Sequence, residues 1–426
     1  MIMSCIKLFA TISAITACYA FEWARAAGNL HSTNALDMNC KLPSGKPICC
    51  SMANDTNYYA DASSRKNFRH ISPSSAHERK SESHRNTLPN RCHEVSTYIS
   101  SPYEIDQLQK ATEFEDIKDE YVAFQNFTNF ITSDLELNNS FLWVTRVMHR
   151  QRYPFEPAST QQLEIDHKYL SRFNRTLICG DTIVDSWLDW IEPISLHGRH
   201  PYSIYLCMHI TKGYRAQYPQ YFQGMVDYTP VQNTDYILMK TPHSNAVKYV
   251  SPSLNFLFDA GTSIYSSSLL WLNCIYKQHN ITFDRIYGWE SSLLEPTAFW
   301  NEVPKELLAK YHFYNAPMSA DISHGNSPLR VIKQMAKPED FVSFKLDIDT
   351  PAVEVATVLQ LLENPELYSL VDEFFFELHF RCSVMMGCGW GKKIPKEVQG
   401  LQLSRKSAME LFVNLRKRGI RSHFWP

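Results

Sequence analysis

The sequence is poor in glycine and carries almost no net charge. Its 426 residues include 14 glycines, and the formal charge at pH 7 is -2. So little glycine argues against a repeat or low-complexity protein. So small a net charge gives no reason to expect a nucleic acid or an anionic membrane as a partner. Hydrophobic residues make up 44% and charged residues 20%, so the chain has a globular composition and is long enough for two domains.

The apolar stretch near the start of the chain is too short to span a bilayer comfortably. It covers residues 8–21 and follows Lys7, and a stretch of about 14 residues suits a signal peptide better than a transmembrane helix. We therefore predict that residues 1–20 are a signal peptide or short anchor. The protein is then expected in the secretory pathway or outside the cell, with membrane contact only if the segment stays uncleaved. Phe21 leaves a bipartite plastid leader as the alternative.

Large aliphatic residues are nearly absent from residues 63–94. Such a segment cannot bury enough apolar area to offset its loss of entropy on ordering. We predict a disordered tail or stem over residues 21–102 and an aromatic-rich accessory region over residues 103–250, with helices at 103–130 and 141–149. Nine of the 11 cysteines lie beyond the leader. An odd number implies at least one free or intermolecularly paired thiol, and disulfides among the first four would suit an oxidising lumen.

Regular alternation of strands and helices begins near residue 251 and predicts an α/β domain over residues 251–426. Such alternation predicts a doubly wound, mostly parallel sheet covered by helices on both faces, with the accessory region as a mixed α/β extension. The apolar strands fit a sheet buried in this way. The predicted strands are residues 254–261, 283–290, 311–319, 341–349 and 371–380, and the predicted helices are residues 266–279, 303–310, 327–336, 351–363 and 409–418.

Polar residues follow the predicted strands where ligands of open α/β sheets bind, beyond the carboxyl ends. Gly261 would let the backbone approach a ligand closely, and Glu290 is placed to accept the hydroxyls of a ribose. One glycine in this loop does not make a pyrophosphate-binding loop, which argues against NAD and FAD. The candidates in chain order are Asp259, Gly261, Glu290, Asp321, Lys345, Asp347, Asp349, Glu354, Glu377 and His379.

Several of these candidates have a plain structural interpretation beside the functional one. Asp259 and Gly261 can form a strand-to-helix turn, and Glu290 can be an ion-pair partner. In an extended chain, Asp347 and Asp349 point to the same side, and two such charges require a metal, Lys345 or a substrate to neutralise them. His379 is either a general base or a structural histidine. With Cys382 and Cys388, His379 lacks the spacing of a zinc site, so no metal is assigned.

Five phrases in the last 170 or so residues resemble, in order, those of the FkbM family of methyltransferases. "FDAGTS" is similar to the opening Asp-x-Gly-Ala-Asn of that family, "YGWE" to its second strand end, and "YNAPMSAD" to the stretch after its third strand. "FKLDIDTPAVE" resembles Leu-Lys-Ile-Asp-x-Glu-Gly-x-Glu, and "FFFELHF" matches a Glu-x-His strand. Whole phrases also resemble an uncharacterised group of algal and oomycete proteins. The resemblance implies a class I methyltransferase-like Rossmann fold.

The resemblance implies methyl transfer from S-adenosylmethionine to an oxygen of a sugar or small metabolite. It places the cofactor on Asp259, Gly261 and Glu290, with Asp321 added at the third strand end. It places the acceptor near Lys345, Glu354 and Glu377, and the chemistry on Asp347, Asp349 and His379. Holding donor and acceptor in line would supply most of the rate, with His379 or Asp349 taking the proton.

Two other functions remain open from the sequence. Asp347-Ile348-Asp349 is also the Asp-x-Asp pattern with which a lumenal glycosyltransferase holds Mn²⁺ on a nucleotide sugar. A non-catalytic binding module is the third interpretation, because Thr262-Ser263 replace Ala-Asn and Thr350-Pro351 replace the glycine of the family pattern. The methyltransferase hypothesis requires Asp259, Glu290 and Asp347 to converge.

Overall fold

The computed structural model describes residues 92–113, 160–194, 237–240, 253–262, 265, 268–380 and 393–425. The predicted leader, most of the predicted tail and the predicted helix at 141–149 lie outside the described residues. So do Ser263, Cys382 and Cys388. Within the described ranges, no helix is long and apolar enough to cross a membrane.

The first described elements form a three-stranded antiparallel sheet with two helices. They are β1 (Cys92–Ile99), α1 (Pro102–Glu113), α2 (Thr160–Tyr169), β2 (Ser171–Cys179) and β3 (Thr182–Ile191). A disulfide joins Cys92, at the start of β1, to Cys179, at the end of β2. The predicted tail is therefore wrong for residues 92–102. The strand there is stabilised by a partner 87 residues along the chain, which no local pattern reveals.

The second half of the chain contains a six-stranded sheet in which every strand pair is parallel. This confirms the predicted α/β class with a mostly parallel sheet. Its elements are β4 (Asn255–Ala260), α3 (Ser268–Gln278), β5 (Arg285–Trp289), α4 (Pro296–Glu302), β6 (Tyr311–Tyr314), α5 (Pro328–Met335), β7 (Phe341–Leu346), α6 (Pro351–Glu363), α7 (Pro365–Tyr368), β8 (Glu373–Phe376), β9 (Glu397–Val398), β10 (Leu401–Gln402), α8 (Arg405–Lys417) and β11 (Arg421–Phe424).

The strand order is β11-β8-β7-β4-β5-β6. The chain starts in the middle at β4, runs outward through β5 to β6, and then crosses back to β7. This is the order of a Rossmann-like fold, and the reversal between β4 and β7 creates a crevice at the carboxyl ends of these two strands. The last strand, β11, comes from the segment that closes the chain and extends the sheet beyond the five predicted strands.

The helix predicted at residues 303–310 is wrong. The helix in this place is α4, which ends at Glu302. Glu295 caps its start, because the carboxylate accepts hydrogen bonds from the backbone N–H of Thr297 at 3.0 Å and of Ala298 at 2.5 Å. Val303 is extended because it precedes Pro304, and a residue before proline avoids the helical region.

Two clusters of buried hydrophobic residues cover the two faces of the parallel sheet. One packs α5, α6 and α8 against β4 residues such as Phe258. The other packs α3 and α4 against Leu257, the preceding residue of the same strand. Successive side chains of a strand point to opposite faces, so a strand covered on both sides must be apolar throughout. A buried polar residue such as Asp259 is therefore an exception that requires a partner.

The antiparallel sheet joins the parallel sheet through buried charges. Arg421 of β11 lies 2.8 Å from Asp189 of β3 and 3.2 Å from Glu373 of β8. His423 lies 2.7 Å from Glu192, which follows β3. Arg416 of α8 lies 3.3 Å from Glu104 of α1. Because neither side can bury these charges without the other, the described parts of the two regions stabilise one another.

Candidate functional site

The crevice between β4 and β7 is closed at its base by direct backbone contact. Gly261 follows β4 with a φ of +94°, and a Cβ atom placed on it would lie 1.6 Å from the carbonyl oxygen of Asp347. The Gly261 N–H donates to the carbonyl of Trp289 at 2.9 Å, and the Asp347 N–H donates to that of Ala260 at 3.0 Å. Gly261 therefore holds the ends of three strands together, which is the structural role that the sequence left open.

A buried lysine joins two of the predicted site residues. Lys345 is the register partner of Asp259 on the adjacent strand, and its Nζ lies 3.2 Å from Asp259 Oδ1 and 3.0 Å from Asp347 Oδ2. Burial opposes protonation of Lys345, but the two carboxylates outweigh it and raise its pKa. Asp259 is 0% exposed, so its carboxylate is enclosed and serves to balance the charge of Lys345.

Asp347 and Asp349 contact different partners. The strand ends at Leu346, and Asp349 has a φ of +57°, so the extended geometry behind the same-side prediction does not hold. Burial opposes ionisation of Asp347, but Lys345 and a hydrogen bond with Glu377 outweigh it and lower the pKa. The Asp349 carboxylate is 69% exposed and lies 3.4 Å from His379 Nε2.

His379 and Glu377 come from the chain segment that follows β8. His379 is 0% exposed and Glu377 is 7% exposed, and His379 Nε2 lies 3.6 Å from Glu377 Oε2. With Asp349, these residues present one imidazole nitrogen and two carboxylate oxygens within 4.8 Å of one another. The structure therefore brings together three predicted residues from two strand ends, and they form a set able to hold a metal ion.

Glu354 fixes the turn that carries both aspartates. It lies in the first turn of α6 and is 1% exposed. One carboxyl oxygen accepts the N–H of Ile348, between Asp347 and Asp349, at 2.8 Å. Burial, followed by the charges of the two aspartates, raises the pKa of Glu354 to about 8. The predicted acceptor contact of Glu354 is thus replaced by a contact with the protein's own backbone.

Glu290 lies at the end of β5, beside the Gly261 turn. Its carboxylate accepts the N–H of Ser292 at 2.6 Å and is partly exposed. The Asn315 amide donates to the carbonyl of Glu290 at 2.9 Å and to that of Ser292 at 2.6 Å, which ties down the loop. Glu290 is thus a fixed carboxylate on the β5 side of the strand reversal.

Asp321 is not joined to the other site residues by any contact of the described chain. Its carboxylate accepts the N–H and the hydroxyl of Ser323, both at 2.8 Å. These hydrogen bonds lower its pKa and stabilise a local turn. The neighbouring Ala320 carbonyl accepts a hydrogen bond from Gln360 of α6 at 2.7 Å, so this loop packs against α6.

An open cleft of about 550 Å³ adjoins Asp349. The start of α6 forms one wall through Thr350, Pro351 and Ala352, while Lys393 and Pro395 form another. Sequence reasoning missed Lys393 and Pro395, because they follow the last central strand by many residues and belong to no motif. Lys393 adds a positive charge to a cleft that otherwise presents the Asp349 carboxylate.

Comparison of the chain with protein-family models, with curated proteins and with solved structures finds no match in any of the three. Function must therefore be argued from the site itself.

Proposed function

We propose that this protein is an S-adenosylmethionine-dependent methyltransferase of the class I methyltransferase-like fold, acting on a hydroxyl group of a sugar or small metabolite. One observation carries the proposal. The strand reversal separates a β5 side, which presents the Gly261 turn and Glu290, from a β7–β8 side, which presents Asp347, Asp349 and His379. A nucleoside and a second reactant placed on the two sides would meet at the crevice.

The β5 side fits a nucleoside better than a dinucleotide. Glu290 offers a partly exposed carboxylate to a ribose, and Asn315 holds its loop. The N–H groups of Gly261 and Thr262 both donate to the carbonyl of Trp289, so neither is left to bind a pyrophosphate.

The required convergence of Asp259, Glu290 and Asp347 on one pocket is met only in part. Asp259 and Asp347 share Lys345, but Asp259 is enclosed and does not fit direct cofactor contact. Glu290 is the residue on which cofactor binding would depend.

The β7–β8 side supplies groups suited to an acceptor hydroxyl. S-adenosylmethionine would provide an activated methyl group, and the chain's own residues would hold the acceptor in line with it. Asp349 is the exposed carboxylate of the set and lines the cleft, so it would accept a hydrogen bond from the hydroxyl group. We also propose a secretory or extracellular location, which the Cys92–Cys179 disulfide supports, since disulfides persist in oxidising compartments.

Calorimetric titration of the purified full-length chain tests the cofactor. We expect adenosylhomocysteine and S-adenosylmethionine to bind, and Glu290→Gln to weaken binding about 10- to 100-fold through loss of a charged hydrogen-bond acceptor. Glutamine can still accept the N–H of Ser292, so the loop should persist. Glu306→Gln is the matched control, because Glu306 is an exposed carboxylate after α4.

Two outcomes would overturn the proposal. Binding of UDP with Mn²⁺, without any adenosyl ligand, would make the chain a metal-dependent glycosyltransferase. Binding of none of these ligands to a folded chain would make it a non-catalytic module on the same fold.

A further inference from the structure

We infer that Asp349, Glu377 and His379 form a binding site for a first-row divalent metal ion at the mouth of the cleft. Ligand geometry, charge and access support this site, and none of these depends on the class of reaction. Only the function suggested for the ion, holding the acceptor, rests on the proposed methyl transfer.

The spacing of the three groups is close to that of ligands around one ion. His379 Nε2 makes a long hydrogen bond of 3.4 Å with Asp349 Oδ1 and lies 3.6 Å from Glu377 Oε2. Ligands about 2.1 Å from one ion lie about 3.0–3.4 Å apart, depending on whether coordination is octahedral or tetrahedral. Movements of a few tenths of an ångström would bring the distances from His379 to Asp349 and to Glu377 into this range.

The ligand types point to a particular class of ion. Carboxylates suit Mg²⁺, Ca²⁺ and Mn²⁺, and an imidazole nitrogen suits Zn²⁺ and Fe²⁺. A set of one imidazole and two carboxylates therefore favours Mn²⁺, Fe²⁺ or Zn²⁺ over Ca²⁺ or Mg²⁺. Glu377 and His379 are almost fully buried after a central strand, so two of the three ligands are held in place before an ion arrives.

The charges around the site favour an added cation. Lys345 lies between Asp259 and Asp347, so its charge is already shared by two carboxylates outside the proposed ligand set. The oxygens of Asp349 and Glu377 lie within 4.8 Å of each other and of the His379 nitrogen. Two carboxylates this close repel each other, and a bound cation would offset that repulsion.

An ion can reach the site and keep positions open for a second ligand. Asp349 is 69% exposed and lines the cleft of about 550 Å³ with Thr350 and Ala352. Three protein ligands leave at least one position of a tetrahedral ion free. An ion there would hold a hydroxyl of the acceptor and lower its pKa, as bound cations do. The alternative to such a site, a histidine merely paired with two carboxylates, predicts no saturable metal binding.

Titration of the metal-stripped full-length chain with Mn²⁺ alone tests the inference, with calorimetry for affinity and electron paramagnetic resonance for the ligands. We expect one Mn²⁺ per chain. Asp349→Asn should weaken Mn²⁺ binding at least about 10-fold, because even the loss of a residue that only supports a metal ligand can weaken binding by that much. Because the Asp349 side chain is exposed, this substitution should not prevent folding. Glu363→Gln, at the far end of α6, is the matched control because it removes one exposed carboxylate.

A second variant separates a ligand from a merely structural residue. Nitrogen coupling in the Mn²⁺ resonance should be present in the wild type and absent from His379→Gln, whose amide has no imidazole nitrogen. Zn²⁺ should displace the bound Mn²⁺. Equal weakening in Asp349→Asn and Glu363→Gln, the absence of saturable binding, or the absence of nitrogen coupling in the wild type would each overturn the inference.

The metal site and the methyltransferase activity can be refuted independently of each other. If Mn²⁺ binds as expected and adenosylhomocysteine does not, the site stands and the proposed reaction is wrong. If adenosylhomocysteine binds in a manner dependent on Glu290 and Mn²⁺ does not bind, the proposed reaction stands and the metal site is wrong.

Discussion

Replacement of Gly261 by alanine is the most direct test of how the crevice is built. The new Cβ atom would lie 1.6 Å from the Asp347 carbonyl oxygen, which is a backbone atom that cannot rotate away. The φ of +94° adds strain, because alanine in the left-handed region costs about 1–2 kcal/mol. Relief of the clash requires the ends of β4 and β7 to separate.

The loss of stability expected for Gly261→Ala follows from the contacts at this position. Forcing the strand ends apart costs about 1–3 kcal/mol in packing. It also weakens the hydrogen bonds from Gly261 to Trp289 and from Asp347 to Ala260, each of which contributes about 0.5–1.5 kcal/mol. With the backbone strain, we expect Gly261→Ala to lower the free energy of unfolding by about 3–8 kcal/mol.

Urea unfolding of Gly261→Ala and Gly400→Ala, followed by circular dichroism, separates the clash from the strain. Gly400 has a φ of +84°, but a Cβ there meets nothing within 4 Å. Gly400→Ala should therefore lose only about 1–2 kcal/mol. If the two variants lose the same amount, the close approach of Gly261 to Asp347 does not stabilise the fold, and the argument for the crevice is refuted.

Three further predictions concern the contacts between the two sheets and the disulfide within the antiparallel sheet. Arg421→Met should lower the free energy of unfolding, measured in urea, by about 3–5 kcal/mol because it leaves buried carboxylates unpaired. Lys417→Met is the control and should cause no such loss, because Lys417 is exposed. Burial opposes protonation of His423, but Glu192 and Glu373 outweigh it and raise its pKa above 6.5. The stability of the wild type should therefore fall as the pH rises through that raised pKa. His423→Gln should make stability less dependent on pH in this range. Cys92→Ser should lower the free energy of unfolding by up to about 4 kcal/mol because it releases an 87-residue loop, and Cys179→Ser, which opens the same loop, should lower it equally.

The buried charges between the two sheets require both regions to be present in one chain. Arg416, Arg421 and His423 belong to the parallel sheet and its last helix, yet their carboxylate partners include Glu104, Asp189 and Glu192 of the first described region. A fragment cut near residue 251 would expose these cations to water and remove their partners. The full-length chain is therefore the material for each of the experiments above.

The local pattern of the sequence was enough to predict the parallel sheet. Apolar runs such as residues 341–346 are buried on both faces, and α6 begins at Pro351 and ends at Glu363 as predicted. These features depend on neighbours within a few residues, such as a proline at the first turn of a helix. The sequence also placed Asp347, Asp349 and His379 at strand ends, since parallel strands bring their carboxyl ends to one edge.

Only the tertiary structure decided what each of these residues contacts. The register of β4 against β7 places Lys345 beside Asp259, and register is a property of strands 80 or so residues apart that no local pattern encodes. The left-handed backbone at Asp349 turns its carboxylate to His379. The same long-range pairing explains β1 and its disulfide to Cys179. The sequence thus determined which residues reach the crevice, and packing of distant strands determined which of them lie together.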